Sequence, residues 1–154
     1  MRRVPDYAMR KAVGMKNRKG EALIELRATQ VLMDFGVPAS VKGYEYLRHC
    51  IIETYYDTDI TLCITKTLYP RVARLCGAMD DTVVARTCRR AVTDAIKRAP
   101  ASVARKYFGV EPYRISCGQF FTAIANYLHT EYDGEIWAAD EESFIATQKK
   151  PVKS

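Results

Sequence analysis

The sequence predicts an all-α domain with a helix-turn-helix between about Leu68 and Arg98. Three observations carry that expectation. Apolar residues recur at helical spacing along most of the chain, with no strand-type alternation and no internal repeat. Capping and stop residues fall between those stretches. Two consecutive helical stretches meet at a tight turn containing Gly77, and the second is strongly basic.

The elements follow in order. Residues 1–20 hold two glycines and little apolar periodicity, so they read as a flexible basic arm. From Glu21 the pattern is helical, with Leu23, Leu26, Val31 and Phe35 (plus Ile24 and Leu32) on the expected apolar side and Gly36 as the stop. Val37-Pro38-Ala39 is a turn, and Ser40 is placed to cap the next helix. Tyr44, Leu47, Ile51, Ile52 and Tyr55 form that helix's stripe, which ends near Tyr56. Asp57-Thr58-Asp59 breaks the chain, and Ile60–Leu68 reads as a short helix. Pro70 suits the first turn of another, where its missing N–H costs nothing; that helix carries Val72, Ala73 and Leu75 and stops at Gly77.

Asp80 or Asp81 caps a long helix to about Arg98, and Pro100 ends it. Ala101–Phe108 makes a short helix closed by Gly109, and Glu111–Ile115 is a loop. Ser116-Cys117-Gly118-Gln119 has the S-x-x-Q form of a capping box. It opens a helix with Phe120, Ile124, Tyr127 and Leu128 on one face. The reading therefore divides the chain into an arm (1–20), a helical domain (21–132) and a C-terminal extension (133–154). The extension holds the single tryptophan, Trp137, with Ile136, Phe144 and Ile145 suited to a small docked helix before a loose Lys-rich end.

The totals exclude several classes. A chain of 154 residues can bury a core without disulfides or metal. No apolar run approaches the roughly 18 residues of a membrane span, and the N-terminus lacks an apolar leader segment. A cytosolic protein with no membrane partner is expected. The five cysteines (Cys50, Cys63, Cys76, Cys88, Cys117) are odd in number and form no C-x-x-C pair. They read as reduced and buried, and the spacing of a zinc site is absent. There is no G-x-S-x-G, H-E-x-x-H, P-loop or G-x-G-x-x-G string. His49 and Cys50 are neighbours, but adjacent helical residues point about 100° apart, which makes a poor nucleophile–base couple. No enzyme, cofactor, metal or small-molecule substrate is expected.

Charge narrows the partner. Residues 1–20 carry seven Lys/Arg against one Asp, and residues 66–106 carry ten against three acidic. Residues 21–65 carry three basic against seven acidic, and the last 24 carry three against six. Positive charge is thus gathered in the arm and one central stretch, the footprint of a polyanion site, although a solvated surface gives the same signal. On the helix from Asp81 to Arg98, Val84, Cys88, Ala91, Val92, Ala95 and Ile96 form an inward stripe. Thr82, Arg86, Arg89, Arg90, Thr93 and Lys97 align on the other side. Arginine can pair bidentately with guanine, and threonine can reach a phosphate or a thymine methyl.

At these residues the sequence resembles the C-terminal effector domain of the stage-zero sporulation regulator, a response-regulator transcription factor of endospore-forming bacteria. The matching segments are Phe35-Gly36-Val37-Pro38-Ala39-Ser40-Val41-Lys42-Gly43-Tyr44-Glu45-Tyr46-Leu47-Arg48 and Ile64-Thr65-Lys66-Thr67-Leu68-Tyr69-Pro70-Arg71-Val72-Ala73. Arg86 to Val92 and Tyr107-Phe108-Gly109 add to them, and the likeness runs from about Ala28 to Glu131. The resemblance implies a compact six-helix fold of the winged-helix-like superfamily. It implies a fourth helix in the major groove of double-stranded DNA, and copies bound head to tail as a homodimer on short repeated boxes. The family's base-reading motif, V-E-R-x-I-R, corresponds to Val84-Ala85-Arg86-Thr87-Cys88-Arg89. Base contact is thereby carried to Arg86, and a base or phosphate contact to Arg89, with Thr82 and Ala85 grouped beside them at the base edges. Phosphate contact is expected of Lys66, Arg71, Arg90, Thr93, Lys97 and Arg114. Ala85 stands where the family has a glutamate able to accept from cytosine N4, and the turn before the helix is one residue longer.

The family's receiver domain precedes this region, and about 27 residues are too few for one, so a paralogue without its own phosphoacceptor switch is expected. Two functions follow. One is sequence-specific transcription regulation, with the arm adding phosphate or minor-groove contacts. The other is a protein-interaction role, as antagonist or partner of a full-length regulator or of RNA polymerase, motivated by Ala85 and by the acidic stretch Asp140-Glu141-Glu142.

Overall fold

The computed structural model describes residues 18–110 and 114–148. The expected arm, apart from residues 18–20, lies outside them, as do residues 111–113 and the Lys-rich end. Six α-helices are present among the described residues: α1 (Arg18–Asp34), α2 (Lys42–Tyr56), α3 (Tyr69–Cys76), α4 (Asp81–Arg98), α5 (Ala101–Phe108) and α6 (Cys117–Gln148). No strand occurs among these residues, so the all-α expectation stands.

Helix α6 packs against α1 and α2, and α4 lies against α2. The core fills the space between them. Ile24, Ala28, Val31 and Leu32 of α1 are buried, as is Phe35 just after it, a spacing that keeps one face inward. Phe120, Phe121, Ile124 and Leu128 of α6 and Leu47, Cys50 and Ile51 of α2 meet them, all fully buried. Each such aliphatic or aromatic side chain contributes about 1.5–3 kcal/mol by leaving water. Phe35 anchors the cluster, with its ring 5.3–5.7 Å from those of Tyr107, Phe108 and Phe120. The stripe of α1 differs in one place from the sequence expectation. Leu26 is 48 % exposed, and the small Ala28 takes the inward position instead.

Gly43 sets the spacing of α2 and α4. A Cβ there would lie 2.9 Å from Ala91 Cβ, closer than side chains tolerate, so a glycine lets the two helices approach.

Four boundaries depart from the sequence reading. Helix α1 begins at Arg18, almost a turn before Glu21. Ser40 does not cap α2. The Pro38–Val41 turn, closed by Val41 N–H donating to Pro38 O at 3.3 Å, carries the chain one residue further, and Val41 takes the cap position with no side-chain bond. Residues 58–68 form a 3-10 turn (Thr58–Cys63) and a π turn (Ile64–Leu68) in place of one short helix. Six of those eleven residues are β-branched, which crowds a regular α-helix. Thr61 Oγ instead donates to Thr58 O and accepts from Thr122 Oγ.

Helix α6 also runs unbroken through 132–133, where the extension was expected to begin. The continuation is held on three sides. Ile136 is fully buried, Glu135 pairs with Arg27 at 3.0 Å, and Asp133 accepts from Tyr55 Oη at 2.7 Å.

Candidate nucleic-acid interface

The turn between α3 and α4 is built from local chemistry. Pro70 sits in the first turn of α3, as its missing N–H favours. Gly77 closes that helix with φ 66°, a left-handed backbone that glycine adopts without penalty. Ala78 N–H then reaches back to Ala73 O at 2.9 Å, satisfying a terminal carbonyl. Asp80 caps α4, its Oδ1 accepting from Val83 N–H at 3.0 Å, and Asp81 adds a favourable charge to the first turn. Two helices and a four-residue turn, residues 77–80, therefore form a helix-turn-helix unit.

The two faces of α4 divide sharply. Val84, Cys88, Val92 and Ala95 are buried, and Ala91 and Ile96 pack partly against the core. Thr82, Arg86, Arg89, Arg90, Thr93 and Lys97 are all exposed. At about 100° per residue these six fall within an arc of roughly 100°. Among the described residues, no ion pair or side-chain hydrogen bond engages Arg86, Arg89, Arg90 or Lys97. Ala85 lies at the edge of the arc, half-buried against the core. Lys66, on the π turn, and Arg114, before α6, are also exposed. Arg71 is differently placed. Its Nη1 lies 2.8 Å from Glu53 Oε1 with both side chains largely covered, which makes it a strut between α3 and α2 rather than a cation free for phosphate.

The cysteines divide as well. Cys50 and Cys88 are buried where α2 meets α4, and burial first, then the neighbouring Cys88 thiol, pushes the Cys50 thiol well above its ordinary range. Cys76 and Cys117 are partly covered, and Cys63 is exposed, so the expectation of uniform burial fails for three of five. His49 does not face Cys50, as the 100° divergence requires. It meets Glu45 and Cys76 instead, the ligand atoms of all three lying within 4.8 Å of one another. Burial, followed by the charge on Arg48, lowers the His49 pKa. Burial and then the Glu45 carboxylate raise the Cys76 thiol to about 11. Sequence spacing could flag Glu45 and His49 as a pair one turn apart, but Cys76 joins them only through the packing of α3 on α2.

A helix-turn-helix whose second helix keeps one face in the core and offers the other to solvent defines the DNA-binding regulator class. The profile of the family described as sporulation initiation factor Spo0A, C-terminal, matches residues 28–128, and the chain belongs to that family. The match spans all of α2 to α5, the C-terminal part of α1 and the first part of α6. That family is one of DNA-binding, transcription-regulatory domains of sporulation initiation, not a catalytic family. No described helix is long and apolar enough to cross a membrane.

Proposed function

We infer that this chain reads a specific double-stranded DNA sequence and regulates transcription from it. Helix α4 enters the major groove. Arg86 and Arg89 address base edges, with Thr82 beside them and Ala85 closing the edge nearest the core. Lys66, Arg90, Thr93, Lys97 and Arg114 hold phosphates and fix the register. Arg71 stays with Glu53. Copies bind head to tail on short repeated boxes, as the resemblance of the motif implies. The observation that carries this reading is the exposed arc of α4: six polar residues, three of them arginines, on a helix whose opposite face is fully committed to the core.

Ala85 has a stated consequence. It cannot accept from cytosine N4, so the preferred box differs from that of relatives with glutamate there.

Selection of bound sequences from a random DNA pool with the purified chain tests the function. The expected result is a short repeated box. Binding to it should weaken with salt at a slope near −0.9 per phosphate contacted, and Lys66→Ala should weaken all sequences alike. A chain that retards no DNA at low salt, yet captures a regulator or RNA polymerase, would overturn it in favour of a protein-interaction role.

A further inference from the structure

We propose that Glu45, His49 and Cys76 form a binding site for one zinc-class divalent cation, behind the turn of the helix-turn-helix. Glu45 and His49 lie one turn apart on the same face of α2. Cys76 is the last residue of α3. Their ligand atoms lie within 4.8 Å of one another. Metal–ligand bonds of about 2.0–2.3 Å are reached from there by small side-chain rotations.

The donor set selects the ion. One thiolate, one imidazole and one carboxylate suit a tetrahedral zinc-class metal with water in the fourth position. Calcium and magnesium favour shells of oxygen ligands instead. All three side chains are partly exposed, so an ion has a path from solvent. Lys42 Nζ, 3.8 Å from Glu45 Oε2, is 71 % exposed and can swing out as the cation enters. Binding exchanges no electrons. The Cys76 S–H proton leaves to solvent, a sulfur–metal bond forms, and the thiolate and carboxylate charges balance the dication.

Position gives the site its meaning. Gly77 follows Cys76 directly, so the ion ties the start of the turn to α2. The exposed arc of α4 is left open. The site does not depend on the DNA reading.

Titration of the full-length, metal-free chain with Co²⁺, followed by displacement with Zn²⁺, tests it. The expected result is a saturable thiolate-to-cobalt charge-transfer band at one equivalent, removed by Zn²⁺. Zn²⁺ at a hundredfold excess over Kd should raise Tm by roughly 5–10 °C. Changes outside the ligand shell already weaken metal sites about 10–100-fold, so Cys76→Ser and His49→Gln should each cost at least tenfold in affinity. Helical circular dichroism should be retained, and if one variant fails to fold, the other decides. Cys63→Ser, at the exposed thiol, should bind as the parent does. The proposal is overturned if no saturable band forms, if it survives in a folded Cys76→Ser, if a folded His49→Gln binds as tightly as the parent, or if it is lost in Cys63→Ser.

Discussion

The seam between α6 and its neighbours α1 and α2 and the outer arc of α4 are both rich in polar side chains, yet they treat them oppositely. At the seam the polar groups find internal partners, with the buried Arg27 Nε an exception. His129 sets Nδ1 at 2.7 Å from Asp133 and Nε2 at 2.8 Å from the Tyr55 carbonyl, while its ring stacks on Tyr55 at 4.0 Å. Arg27 makes two 3.0 Å contacts with Glu135 and lies 4.2 Å over the Tyr132 ring. Nearby, Tyr107 Oη donates to Asp34, and burial first, then that carboxylate, pushes the phenol far above its ordinary range. On the arc, four cations face solvent with no internal acceptor among the described residues. The difference teaches where selection for fold ends and selection for a partner begins. Matched charges orient helices, whereas unmatched ones are available to phosphates and base edges.

Substitutions can break that contrast. The largest expected effect is at the seam. Ile136→Ala removes a fully buried side chain from the continuation of α6 and should cost about 2–5 kcal/mol of unfolding free energy, read by chemical denaturation. A loss below about 0.5 kcal/mol would mean that residues beyond 132 are only appended. Next is the contact that holds α4 in place. Gly43→Ala drives a Cβ into Ala91 and should cost about 1–3 kcal/mol, seen as a lower Tm. Asp80→Ala, which removes the α4 cap, should cost about 1 kcal/mol by the same assay. The smallest effect is Glu135→Gln. Its partly exposed ion pair with Arg27 should contribute no more than about 1 kcal/mol, and a larger loss would give the seam's charges more weight than its apolar contacts.

Much of this architecture was legible in the sequence because it is set by local chemistry. Asp80, Gly77 and the Ser116–Gln119 box mark their helix ends from within a few residues. The box forms both reciprocal bonds, Gln119 N–H to Ser116 Oγ at 3.1 Å and Ser116 N–H to Gln119 Oε1 at 2.9 Å. The two faces of α4 were legible because burial follows the helical period. What was not legible depends on distant partners. Ala28 outranks Leu26 for an inward position only because of the surface α1 meets. The helix continues past Asp133 because Tyr55 and Arg27 hold it there. The engagement of Arg71 with Glu53 and the meeting of Cys76 with His49 both require α3 to lie on α2, which no spacing rule supplies.

The measurement closest to the central claim compares parent and Arg86→Ala on the selected box and on variants with each base pair changed. The account predicts that Arg86→Ala loses about 1–3 kcal/mol of discrimination at one base position, keeps it at the others, and changes unfolding free energy by less than about 0.5 kcal/mol. Unchanged affinity and unchanged base preference in a folded Arg86→Ala protein would contradict it.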